Sequence, residues 1–178
     1  MKKSICKCLL FVCCLSLLQL RVKAQQDTLY MHNGKIELAT VLKVGLHTIS
    51  FKYKNEEAER NMGKLAIEKI VYRSGRIEYP SVRHEVPADS LWNNIVVIHD
   101  LAETEGLSKV GHVSSHTAFI NLHTSSSGEK AARKKLYKKA MEMNCPFVFI
   151  IEDKEILYGH IKFWGVTQHK FRAIAFRY

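Results

Sequence analysis

Two prolines, Pro80 and Pro87, do more than any other feature to limit the folds open to this chain. Proline fixes its own φ, donates no main-chain hydrogen bond and biases its predecessor away from helix. Neither a helix nor a central strand can therefore run through Pro80-Ser81-Val82-Arg83-His84-Glu85-Val86-Pro87. Residues 81–88 read as an extended linker. The chain is expected to form one unit over 27–80 and a second over 89–178, and the two halves carry different hydrophobic periods.

The first half has the period of β-structure. Asn33-Gly34 sits between Thr28-Leu29-Tyr30-Met31 and Ile36-Glu37-Leu38, a strong hairpin signal. Ile36, Leu38, Thr40, Leu42 and Val44 alternate along the next strand and share one of its faces. Gly45 marks a turn, after which Ile49, Phe51 and Tyr53 alternate with polar residues. A polar loop over Asn55 to Gly63 follows. Ile67, Ile70 and Tyr72 then lead through Ser74-Gly75 to Ile77-Glu78-Tyr79. Five short strands in so few residues bury a common core most easily by curling into a small barrel.

The second half mixes periods. Ile95-Val96-Val97-Ile98 is a short apolar strand, and Val110 to Asn121 is β-prone. One helix follows: Ser126 and Glu129 have capping-box spacing, and Ala132, Leu136, Ala140 and Met143 recur on one face. Asn144 and Pro146 end it. Phe147-Val148-Phe149-Ile150-Ile151 reads as a strand buried on both faces, and Val166 to Tyr178 as a closing strand. The expected class is α+β, a small N-terminal β-barrel followed by an α+β sandwich with one main helix on a sheet.

The first two dozen residues stand apart. Lys2 and Lys3, the apolar run Cys8 to Leu18 and Val22-Lys23-Ala24 have the three-part form of a cleavable secretory leader, 1–24. The apolar run, about eleven residues, is shorter than the roughly twenty of a membrane span. The expected product is exported, periplasmic or secreted, with no transmembrane span in the mature chain. Removing the leader lowers the formal charge from +10 to +5, leaving 22 basic residues against 17 acidic. Nucleic-acid binding is therefore not indicated. Cys6, Cys8, Cys13 and Cys14 leave with it, so Cys145 has no partner for an intrachain disulfide.

The pattern Asp27-Thr28-Leu29-Tyr30, Asn33-Gly34, Val41-x-x-Val44, Ile49-x-Phe51, Ile67-x-x-Ile70-x-Tyr72 and Gly75 resembles a repeat in uncharacterised secreted proteins of Gram-negative gut bacteria. It also looks like the SH3-like or Sm-like small barrel. Gly106-Leu107-x-Lys109-Val110-Gly111-x-Val113, with Cys145-Pro146-Phe147-Val148-Phe149-Ile150, resembles small bacterial envelope proteins that include stress-sensing outer-membrane lipoproteins. These resemblances imply a fold and a compartment and transfer no functional residue.

Few constellations carry chemistry. His112, His116 and His123 are candidate metal ligands, but on a strand His112 and His116 stand about 13 Å apart at roughly 3.3 Å per residue. Cys145, just past a helix C-terminus, is a poor nucleophile and reads as a small buried residue. The sequence has no Gly-x-Ser-x-Gly, no phosphate-binding glycine loop and no His-Glu-x-x-His, and no cofactor is indicated. The pattern with geometry behind it is Lys130, Arg133, Lys134 and Lys138, a basic outer helix face suited to a protein, an anionic lipid headgroup layer or a polysaccharide. Tyr158, Phe163 and Trp164 form a candidate aromatic patch. The leading expectation is a non-catalytic, exported cell-envelope interaction module. A small secreted hydrolase assembled only in three dimensions, or a periplasmic metal- or ligand-binding protein, are the alternatives.

Overall fold

The computed structural model describes residues 26–86, 89–117, 125–158 and 166–178. The leader lies outside these residues. The first half forms β1 (Asp27–Met31), β2 (Ile36–Val44), β3 (Thr48–Lys52), β4 (Arg60–Gly63), β5 (Ile67–Val71) and β6 (Ile77–Glu78). The second forms β7 (Val96–Ile98), β8 (Ser108–His116), helix α1 (Ser125–Glu142), β9 (Phe147–Tyr158) and β10 (Val166–Arg177).

The first sheet runs β4-β3-β2-β1-β5-β6, antiparallel throughout. The Asn33-Gly34 hairpin forms as expected, with Gly34 at φ 86° and its N–H donating to Met31 O at 2.9 Å. The sheet stays open, which corrects the expected barrel: β4 and β6 are its two edges and do not pair with each other. The reason lies in what meets those edges. β6 has two residues, after which the chain departs along 79–86. At the β4 edge the Gly63 N–H donates to Glu105 O at 2.9 Å, so the chain around a 3-10 turn at Leu101–Thr104 covers the edge. The fold is a generic α+β arrangement of two sheets, and the SH3-like or Sm-like likeness does not hold.

A correction and a further finding concern strand faces. The segment expected to be a polar loop contains β4, whose Met62 turns inward while Arg60 and Asn61 face solvent. The alternation on β2 is real, and its apolar set is the outward one: Ala39 and Glu37 are buried, whereas Ile36 is 57 %, Leu38 58 % and Leu42 47 % exposed. Pairing decides this. Leu29 lies inward on β1 and is opposite Glu37, which commits Glu37 to the inner side. The carboxylate is satisfied there by the Tyr53 hydroxyl and by Lys35 Nζ at 2.5 Å. Phe51 and Ile49 fill the space that Ala39 leaves.

The second sheet is mixed, in order β7-β9-β10-β8, with β7 parallel to β9 and the other pairs antiparallel. The strand expected at Phe147–Ile151 is interior to it and packs on both sides. On one face, Val148, Phe171, Ala173 and Ala175 meet Ala132, Leu136 and Ala140 of α1. Alanines on both partners allow a close approach, and Ser115 Oγ donates to Ala132 O at 2.7 Å. On the other face Phe147, Phe176 and Ile98 meet Leu65 and Leu107. α1 begins at Ser125, so Ser126 lies in its first turn instead of capping it. Its end follows expectation: Asn144 takes φ 56°, Cys145 N–H donates to Ala140 O at 2.9 Å and Asn144 N–H to Met141 O at 2.8 Å.

Residues 79–86 form no ladder, in keeping with an extended segment, but they are docked along their length. Ser81 Oγ donates to Ile67 O at 2.9 Å, Arg83 Nη1 to His32 O at 2.6 Å, and the His84 N–H to the Tyr178 hydroxyl at 2.7 Å. The segment is a strap between the sheets.

Candidate functional site

The basic helix face forms, with one member reassigned. Lys130, Lys134 and Lys138 succeed one another by single turns on the side of α1 away from Ala132, Leu136 and Ala140, with Lys135 beside them and Lys139 at the border with β8. Four residues of helix rise about 6 Å, so the three ammonium groups make a ladder of that period. Among the described residues none of these five lysines forms an ion pair. Lys134 Nζ sits 5.7 Å from the centre of the Trp92 ring, and Lys139 Nζ donates to Ser114 O at 2.6 Å. The second contact caps an acceptor on β8, the edge strand.

Arg133 does not belong to this face. Its Nε donates to Glu129 at 2.8 Å, its Nη2 to Asp153 at 3.2 Å, and its guanidinium lies 4.8 Å from the centre of the Phe171 ring. It is a strut between helix and sheet. Its position at 100° per residue falls toward the buried stripe, which the wheel of Ala132, Leu136 and Ala140 makes visible in the sequence.

Beside the lysines, a cleft of about 330 Å3 opens between α1 and β8, lined by Ser115, His116, Lys135, Lys138, Lys139 and Glu142. His116 stands at the rim of this cleft on β8. His112 lies four residues earlier on the same exposed side of β8, and His123 falls outside the described residues. No group of three or more His, Cys, Asp or Glu side chains is placed to share an ion among the described residues. Phe163 and Trp164 also fall outside the described residues, as does the side chain of Tyr158, the last residue of β9. Cys145 is buried where helix meets strand, its Sγ 3.3 Å from Met143 O. Burial pushes its thiol up, although Arg177 draws it the other way.

A second cleft, of about 410 Å3, was not foreseen. It lies where the strap meets the ends of the second sheet, with Arg83, His84, Glu85, Asn144, Arg177 and Tyr178 on its walls. His32 behind it is 5 % exposed, and its imidazole shares a hydrogen bond of 3.0 Å with Ser81 Oγ. Burial holds both His32 and His84 below the usual histidine value, Arg83 adding to the effect at His32 while Glu68 opposes it. Burial raises the Tyr178 phenol. The signal available for this cluster is composition: His84 and Val86 are unusual in a free linker, which is ordinarily polar or rich in glycine and serine.

Among the described residues, no helix is long and apolar enough to cross a membrane. No family model, no curated protein and no solved structure matches the chain, so the resemblances drawn from short motifs to secreted and envelope proteins are not sustained.

Proposed function

We propose that this protein is a non-catalytic binding module that holds a linear acidic glycan along the outer face of α1, and that it acts outside the cytoplasm, as its leader-like first residues imply. The observation that carries the reading is the ladder Lys130, Lys134, Lys138 with Lys135 and Lys139 beside it, free of ion pairs among the described residues. Lysines on an amphipathic helix are ordinarily interleaved with acidic partners. Here Glu129 is already engaged by Arg133, and Glu142 is the acidic residue at the cleft. Repeated cations about 6 Å apart suit a polymer with regularly spaced carboxylates or sulfates.

The test uses polygalacturonate and a polysulfated glycan as probes. Binding by calorimetry at low salt, steeply weakened at higher salt, is expected, as is loss of at least tenfold in affinity in Lys130→Glu/Lys134→Glu/Lys138→Glu. Equal binding by that variant, or no binding to either polymer by the unaltered protein, would remove this reading.

A further inference from the structure

The outward apolar set of β2 puts large apolar side chains on the wrong side of the first sheet for burial, and their neighbours across the strands match them. Ile77 pairs with Val71, Val71 with Thr28 and Thr28 with Leu38, forming one row across β6, β5, β1 and β2. A second row runs Lys69, Tyr30, Ile36. Ile36, Leu38 and Ile77 are each more than half exposed. A solvated face of an antiparallel sheet normally alternates polar residues outward. This one presents aliphatic surface that nothing among the described residues covers, since α1 occupies a face of the other sheet. Surfaces of this kind mark interaction sites.

The charge on the face selects its occupant. No carboxylate stands on either row. Lys69 lies at the border with its ammonium 4.5 Å from the centre of the Tyr30 ring, and Lys52 follows on the same side opposite Thr40. A second copy of the chain would bring these cations together with exposed Glu68, beside Lys69 at the β5 bulge, as the one neighbouring carboxylate on that strand. The clefts at the strap, beside α1 and at the Gly45 turn are lined by other residues, so none of the three offers this face a groove for a partner helix. An aliphatic face edged by a tyrosine and a lysine, the ring amphipathic and the lysine stem able to lie along apolar surface, has the composition of a membrane-interface contact. We infer that the outer face of the first sheet docks on a lipid bilayer bearing anionic headgroups, with Ile36, Leu38 and Ile77 entering the interface and Lys69 and Lys52 meeting the headgroups. This contact is independent of the lysine ladder on α1.

Sedimentation with vesicles tests it. The purified protein should pellet with phosphatidylglycerol–phosphatidylcholine vesicles and at least tenfold less with phosphatidylcholine alone. Ile36→Ser/Leu38→Ser/Ile77→Ser should lose at least tenfold in partitioning, whereas Ile151→Ser, a half-exposed apolar residue on the second sheet, should stay within twofold. These side chains are exposed, and an unchanged melting curve will show that the variants fold. Leu38→Trp should be quenched by brominated lipid beyond the level given by the native tryptophans. Three results would overturn the inference: no pelleting, binding lost only in Lys130→Glu/Lys134→Glu/Lys138→Glu, or a concentration-dependent dimer abolished by the apolar substitutions, which would assign the face to a second copy.

Discussion

The His32 and Tyr178 rings, one just past β1 and the other just past β10, lie with centroids 4.8 Å apart. Tyr178 also meets Phe147 edge-on at 5.1 Å, and Phe147 meets His84 at 5.7 Å. Four aromatic rings from both halves and the strap therefore form one continuous contact, with the Arg83 guanidinium 5.3 Å from the Tyr178 ring centre.

This contact predicts that the halves unfold together. Tyr178→Phe removes the acceptor of the His84 N–H and should cost about 1 kcal/mol. Tyr178→Ala removes the ring as well and should cost about 2–3 kcal/mol for a half-buried aromatic. Urea denaturation followed by fluorescence and circular dichroism should give coincident transitions for the unaltered chain and separated ones for Tyr178→Ala. Coincidence in both would deny the ring cluster a coupling role.

The same junction should respond to acid. The lowered folded-state values of His32 and His84 mean that, below the ordinary value of 6.5, the unfolded chain binds more protons than the folded one. Stability is then complete above about pH 6.5 and falls as pH drops from there toward the depressed values. Arg83 and the facing imidazoles oppose protonation, while Glu68 favours it at His32. Urea midpoints at pH 7.5 and 5.5 should differ, and His32→Phe/His84→Phe should flatten the difference. An equal slope in the variant would place the pH response elsewhere.

At the other contact between the halves, Gly63 is required by space and not by conformation. Its φ of −64° is open to any residue, but a Cβ there would stand 2.2 Å from Glu103 O. Gly63→Ala should cost about 3 kcal/mol or more, because backbone must move on one side. Gly34→Ala, with φ 86° and nothing within 4 Å, should cost only about 1 kcal/mol, from strain alone. Thermal melts of the pair check the ranking, and the reverse order would contradict the packing at Glu103.

Legibility in the sequence followed the range of the interactions. The Asn33-Gly34 hairpin, the helix with its Asn144 terminus and the Phe147 strand depend on neighbours a few residues away, and each was readable from period and turn chemistry. The face of β2 was not, because alternation gives a period without a sign, and the sign comes from Leu29 opposite Glu37. Closure of the first sheet was misread for a similar reason: strand content is local, but the edge at Gly63 is met by residues about forty positions later. The lysine ladder was visible as charge at helical spacing. The wheel shows Arg133 leaning toward the buried stripe, but its partner Asp153, twenty residues on in β9, is not legible from the sequence.

Reassigning Arg133 separates stability from binding on one helix. Arg133→Ala removes two ion pairs and the packing on Phe171, and with the guanidinium partly exposed should cost about 1–2 kcal/mol. Its effect on glycan affinity should be less than twofold. Lys134→Ala should do the reverse, weakening binding several-fold with a stability change within about 0.5 kcal/mol. Melts and calorimetry on both variants decide this, and matched behaviour would return Arg133 to the binding face.

Cys145 offers the last test, of the helix–sheet seam itself. Its thiol is buried, raised by that burial and turned toward Met143 O, so the reactive thiolate is both scarce and screened. In a chain truncated to begin at Gln26, where Cys145 is the one remaining thiol, a disulfide reagent should react at a rate set by opening of the seam. The rate should therefore rise steeply across the urea transition. Cys145→Ser should keep the fold but lose about 1–2 kcal/mol, since a hydroxyl replaces a thiol in an apolar setting and retains only one carbonyl within reach. Fast labelling of the native protein would mean that α1 lifts from the second sheet far more readily than its alanine-lined contact implies.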